Sequence, residues 1–369
     1  MSQVRVLPGA PVEGGRSMVK KVREEATKVE QEVEREVESD QPRLIHIGSG
    51  ILLFILGAGI TAIGLLAVKP GVTPPDEYAG GPTGAGASSA SFAPRAASAL
   101  PAGPEGEAIT RAIDLFNNTG VKAAPFVGNG LACKNCHLDA GRKAGAAPMW
   151  AAWVKFPEFY ARNGSITTMT DRIRGCFTNS MNAQDSPSGG PPPPNSPIYS
   201  DLQMYFAWLA KGAPVGAKLA GGGFPPVAEP AAGYDPVRGK AVFQQYCAAC
   251  HGNDGQGARQ PNGAVVYPPL WGPHSFNWNA GMAELSLAAA FIKANMPYEE
   301  AKKLTDQQAW DVAAYVNSHE RPRDPTQKGT VAQTAAKSFT GFPTYYGKTV
   351  DGHLLGTGSP GSGPFPKGK

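Results

Sequence analysis

At 369 residues the chain is long enough for two or three domains of ~150 residues. Its 34 Lys+Arg against 30 Asp+Glu leave a formal charge of only +4, and no dense basic run with interleaved aromatics occurs, which excludes nucleic-acid binding. Apolar residues at 41% exclude a wholly disordered chain, while 46 glycines and 35 prolines are close to twice the usual share of ~12% and predict long linkers.

From Ser17 the sequence is strongly charged, and Val19, Val22, Ala26, Val29 and Val33 fall 3 or 4 residues apart. This predicts an amphipathic helix within residues 1–43. Residues 44–68 carry no charged side chain over 25 positions, enough to cross a bilayer. No short n-region precedes them and no small-residue cleavage site follows, so the run reads as a retained single-pass anchor in the inner (cytoplasmic) membrane. Gly50, Gly57 and Gly64 give it one small-residue face for another helix, and His46 is expected at the interface. Residues 69–105, rich in Gly and Pro, read as a flexible linker.

Two similar stretches follow, 106–212 and 234–321, separated by a Gly/Pro-rich break at 213–233. Each opens with a short amphipathic helix: Ile109, Ala112, Ile113 and Phe116 in the first, Val237, Ala241 and Val242 in the second, the latter started by Asp235-Pro236. Each then carries C-x-x-C-H, at Cys133, Cys136 and His137 and at Cys247, Cys250 and His251. Each continues with a proline and a tryptophan, Pro148-Met149-Trp150 and Pro269-Leu270-Trp271. Each closes with an aromatic helix, the second begun by a Thr305-x-x-Gln308 capping box. Residues 322–369 show no periodicity and are expected to be an irregular tail.

In C-x-x-C-H two thiols can bond covalently to the haem periphery while the adjacent histidine becomes a ligand of the iron. A zinc site would need a second Cys or His pair in each unit, and neither unit has one. The predicted fold is therefore all-α, two class I c-type cytochrome domains in tandem, with two covalently bound haem c groups, proximal ligands His137 and His251, and Pro148 and Pro269 against the cofactors. Haem attachment of this type takes place outside the bacterial cytoplasm, which predicts haem domains on the periplasmic side of the anchor.

For the second iron the expected sixth ligand is Met296, which lies 45 residues after His251 in Asn295-Met296-Pro297 at a helix end, with Met282 as its rival. The first unit offers Met169, Met181 and Cys176. Spacing alone leaves these open, although Arg172 and Arg174 beside Cys176 favour its thiolate.

The run Gly130 to Trp150 together with Gly175-Cys-Phe-Thr-Asn-Ser-Met-Asn182 resembles the dihaem thiosulfate dehydrogenases, which form tetrathionate. The resemblance covers roughly residues 105–320. It implies that Cys176 is the sixth ligand of the first haem and that Ser180 and Asn182 line the substrate site. Arg142, Lys143, Arg172 and Arg174 are then candidates to offset the charge of thiosulfate. The functional expectation is an oxidoreductase passing electrons from the first haem to the second and on to another redox protein. The alternative is a non-catalytic dihaem subunit linking a quinol-oxidising complex to an oxidase or reaction centre.

Overall fold

Helix boundaries in this chain are set largely by side-chain caps. The structure, a computed structural model, describes residues 91–160, 164–324 and 327–359, which all fall within one compact unit. The expected valine-striped helix and the run 44–68 lie outside the described residues. The predicted inner-membrane placement is corrected here: among the described residues no helix is long and apolar enough to cross a membrane, so no element of the structure carries it.

Helices α1 (Pro104–Asn117), α2 (Met149–Trp153), α3 (Met169–Gly175) and α4 (Pro197–Leu209) build the first half. Thr168 and Asp171 cap α3 reciprocally, and Ser196 caps α4. On α1 the spacing of Ile109, Ala112 and Phe116 puts all three on one buried face. That face meets α4, where Phe116 lies edge-on to Tyr205 and Phe206 at ring distances of 5.9 and 6.0 Å.

The second half contains α5 (Pro236–Tyr246), α6 (Leu285–Asn295) and α7 (Asp306–Asn317). Asp235 caps α5 by accepting from Val237 and Arg238, and the Thr305 and Gln308 box starts α7 as the sequence predicts. Helices α5 and α7 cross closely because Gly239 has no side chain; a Cβ there would stand 1.9 Å from the Asp311 carbonyl oxygen.

The structure departs from the sequence reading in three places. First, the fold is helix-rich but not purely α: it includes the antiparallel hairpins β1 (Glu158–Tyr160) with β2 (Ser165–Thr167), β3 (Ala258–Arg259) with β4 (Val265–Tyr267), and β5 (Thr349–Val350) with β6 (His353–Leu354). Second, the linkers are packed. Phe92, within the predicted tether, lies 5.5 Å from the Trp150 ring. In the break at 213–233, Leu219 is buried in the first core, Phe224 meets Phe291 at 5.4 Å, and the Val227 carbonyl accepts from the Trp310 indole. Third, the tail holds a capped helix, α8 (Val331–Ser338), and buries Phe339, Tyr345, Tyr346 and Leu355 against the second half.

Glu320 fastens that tail. Its carboxylate accepts from the Trp278 indole, the Arg321 N–H, the Gly356 N–H and the Thr357 hydroxyl, and pairs with His353 at 3.0 Å. Burial alone would raise its pKa, but the Trp278, Arg321, His353 and Thr357 hydrogen bonds outweigh burial and hold it below the ordinary glutamate value. A depressed folded-state pKa contributes stability above the unfolded value of ~4.3 that is lost as pH falls through the folded one. Glu320→Gln is therefore expected to lower stability by about 2 kcal/mol at neutral pH, with variant and parent converging in acid. Thermal denaturation followed from pH 7 to pH 3 checks this.

Candidate functional site

The first C-x-x-C-H opens onto a cavity of about 600 Å³, within the range that holds a cofactor-sized ligand. Cys133, Cys136 and His137 stand on one part of its wall; Phe116, Met149, Phe177, Leu202 and Phe206 supply apolar surface; Arg172 and Cys176 complete it. Among the described residues no group of three or more His, Cys, Asp or Glu could hold a bare metal ion.

The His137 Nδ1 lies 2.7 Å from the Ala147 carbonyl oxygen. A carbonyl can only accept, so Nδ1 carries the proton and the Nε2 lone pair is left for a metal. Burial, opposed by that hydrogen bond and helped by the Arg172 charge, pulls the His137 pKa down to about 4, so the ring is neutral at pH 7. Burial pushes the Cys133 and Cys136 thiols up to about 12, keeping them neutral in the apo chain. The Ala147 loop is braced in turn: its N–H donates to the Gly223 carbonyl at 2.9 Å and the Gly145 N–H to Gly221 at 2.7 Å. The segment expected to be a linker thus supports the histidine.

All three candidates for the sixth position of the first site line this cavity, but differently. Met169 and Met181 are buried in the apolar core, whereas Cys176 is only half-buried. Cys176 starts a π-turn, Cys176–Ser180, closed by the Met181 N–H donating to the Cys176 carbonyl at 3.0 Å; such turns are frequent at functional sites. Arg172 lies one helical turn before it, and the Cys176 charge is the first cause of the raised Arg172 pKa.

The second motif shows the same local design. The His251 Nδ1 donates to the Pro268 carbonyl at 2.9 Å, and burial lowers the His251 pKa. In both halves the orienting carbonyl belongs to the residue just before the predicted proline: Pro148 itself lines the first cavity, and Pro269 follows Pro268. Cys247 is half-buried and Cys250 exposed. Met296 caps the end of α6, half-buried beside Leu138, Ala146 and Phe291, a cluster that Met282 also touches.

The predicted anion-binding residues divide. Arg172 and Ser180 line the cavity. Arg174 does not; its charge acts on Tyr199. Arg142 donates to the Arg95 carbonyl and pairs with Asp139, and Lys143 sits over the Tyr298 ring at 5.5 Å. Asn182 is buried in a left-handed conformation with its amide donating to Asp185, so it does not line the wall. Lys155 and Lys218 do. Sequence reasoning missed both, because Lys155 reads as an isolated surface charge and Lys218 falls in the supposed linker.

Comparison with known proteins bears on these features. A family model described as cytochrome c matches residues 236–320. The chain is 44% identical over 277 residues to the thiosulfate dehydrogenase of Stutzerimonas stutzeri (strain A1501), covering 74% of this chain and 88% of that protein. It is 42% identical over 296 residues to the thiosulfate dehydrogenase of Thiomonas intermedia (strain K12), covering 80% and 91%. Among solved structures it is similar to a thiosulfate dehydrogenase (TsdBA) from Marichromatium purpuratum in its as-isolated form, with a TM-score of 0.70 and 49% identity over 72% of this chain and 57% of that one.

Proposed function

The chain belongs to the thiosulfate dehydrogenase family and carries covalently bound haem c; from that premise we propose that it oxidises thiosulfate to tetrathionate at the first site. We propose further that it holds two haems in two class I cytochrome domains, the electrons leaving by the second domain to an external redox protein. The observation that carries this reading is the shared cavity wall of His137, Cys176 and Arg172 beside a complete C-x-x-C-H.

Two thiosulfate dianions joined through a new S–S bond give one tetrathionate dianion and release two electrons. Bound haem supplies the one-electron acceptor that this chemistry needs. The chain's own residues do the rest. Cys133 and Cys136 hold the cofactor by its edge, His137 is fixed by Ala147 to present Nε2, and Cys176 faces the same volume from the π-turn. Arg172, Lys155 and Lys218 gather positive charge at the wall, although Lys155 is shared with Glu158 at 3.2 Å. These cations offset the repulsion between two dianions brought together. Ser180 adds a hydroxyl donor. The apolar remainder of the wall lowers the local dielectric and strengthens each of these interactions.

Steady-state oxidation of thiosulfate with an artificial one-electron acceptor, with tetrathionate measured directly, tests the proposal. A charge-assisted hydrogen bond is worth about 1.5–3 kcal/mol, so Arg172→Ala is expected to raise KM for thiosulfate at least tenfold. Arg174→Ala, away from the cavity, should leave KM within a factor of about two, the size expected of a surface change. Equal effects of the two substitutions would remove Arg172 from the substrate site.

A further inference from the structure

A π-turn carries its backbone carbonyls out of the α-helical register, and such a turn persists only where other groups take them up. In the Cys176–Ser180 turn three consecutive carbonyls are taken by two asparagines. The Asn277 amide nitrogen donates to Thr178 at 3.1 Å, the Asn277 backbone N–H donates to Asn179 at 3.1 Å, and the Asn129 amide nitrogen donates to Ser180 at 2.8 Å. The Asn129 amide also donates to the Ser275 carbonyl at 3.1 Å. Asn129, Ser275 and Asn277 are fully buried. The other ends of the two amides are fixed as well, Asn277 Oδ1 accepting from Asn279 and Asn129 Oδ1 from Leu131. Neither side chain can turn away without abandoning its partners in a buried seam, where each unmet group is costly.

Asn277 belongs to the second half and Cys176 to the first. We propose that Asn277, beside Asn129 which ties Ser180 to Ser275, is a positioning residue for Cys176: the second half holds the π-turn in the register that presents the sulfur to the first site. This rests on the reading of Cys176 as the axial group there. Loss of the Asn277 donor lets the turn relax toward an ordinary α-helical register, which moves Cys176 against its flanking helix while leaving Cys133, Cys136 and His137 in place.

The test uses the full haem-bearing protein. Asn277→Asp keeps the shape and the Oδ1 acceptor but loses the donor to Thr178; Asn277→Ala loses both. With haem content unchanged, both variants should show the first haem's low-spin electron paramagnetic resonance signal split into two populations and its midpoint potential raised, while the second haem keeps its signal and potential. Arg238→Ala is the control. It cuts the pair that ties α5 to α7 within the second half, from the Arg238 guanidinium to the Asp311 carboxylate at 2.8 Å, away from the turn, and should leave the first haem's signal unsplit. If Arg238→Ala splits that signal as strongly as the Asn277 variants, the effect is general loosening and the proposal is overturned. Equal loss of both haems in the Asn277 variants overturns it too. Cys176→Met separates the remaining cases: if that substitution alters the first haem and the Asn277 variants do not, the positioning role alone is wrong. If Cys176→Met itself changes nothing, the reading of Cys176 has failed and the proposal falls with it.

Discussion

Replacing Cys176 with methionine is expected to abolish thiosulfate oxidation, raise the potential of the first haem and leave haem attachment intact. Attachment depends on Cys133 and Cys136, which the substitution does not touch. An anionic thiolate pushes electron density toward iron and stabilises its ferric state, whereas a thioether raises the potential. The position has room for the change because Cys176 is half-buried at the cavity wall rather than packed in the core. A thiolate can also join thiosulfate through an S–S bond if the two electrons released pass to the haems and the external acceptor, whereas a thioether has no such reaction. Spectroscopic redox titration of the purified variant checks the potential. A potential unchanged by the substitution would transfer the role to another group, Met169 and Met181 among them, both of which line the same cavity.

Substitution of both Cys247 and Cys250 by alanine is expected to halve the haem content and nearly stop turnover with a protein acceptor. The second half keeps its own core around Phe243, Trp271 and Val312, so the chain should still fold around the first site. A pyridine haemochrome assay should then give one haem per chain, and low-spin signals should come from the first site alone. A count still equal to two would show that the second motif is not an attachment site.

Much of this architecture was legible because its determinants are local. Asp235-Pro236 and Thr305-x-x-Gln308 start α5 and α7 where the sequence places them, since a cap needs only residues within one turn. The C-x-x-C-H runs are local too, and the match of residues 236–320 to cytochrome c agrees with the haem chemistry the motif predicts. The tail helix is equally local: Thr330 and Gln333 form a reciprocal box, Val331 and Ala335 are its small contacts with the second core, and Phe339 and Tyr346, stacked at 4.0 Å beyond its end, add to its packing. What sequence could not convey is long-range. Lys218 reaches the first cavity because Leu219 is buried beside it in the first core. The family resemblance implies Asn182 as a substrate residue, but its backbone is left-handed and its amide donates to Asp185. The hydrogen bond from the Asn277 amide to Thr178 in the Cys176 turn spans 99 residues, a distance over which spacing carries no signal.

The most direct measurement is an anaerobic titration of the fully oxidised protein with thiosulfate, following haem reduction and tetrathionate together. The account predicts one tetrathionate for every two thiosulfates consumed and two electrons gained, with reduction lost in Cys176→Met. Haems that stay oxidised, or that become reduced while sulfite or sulfate appears instead of tetrathionate, would contradict it.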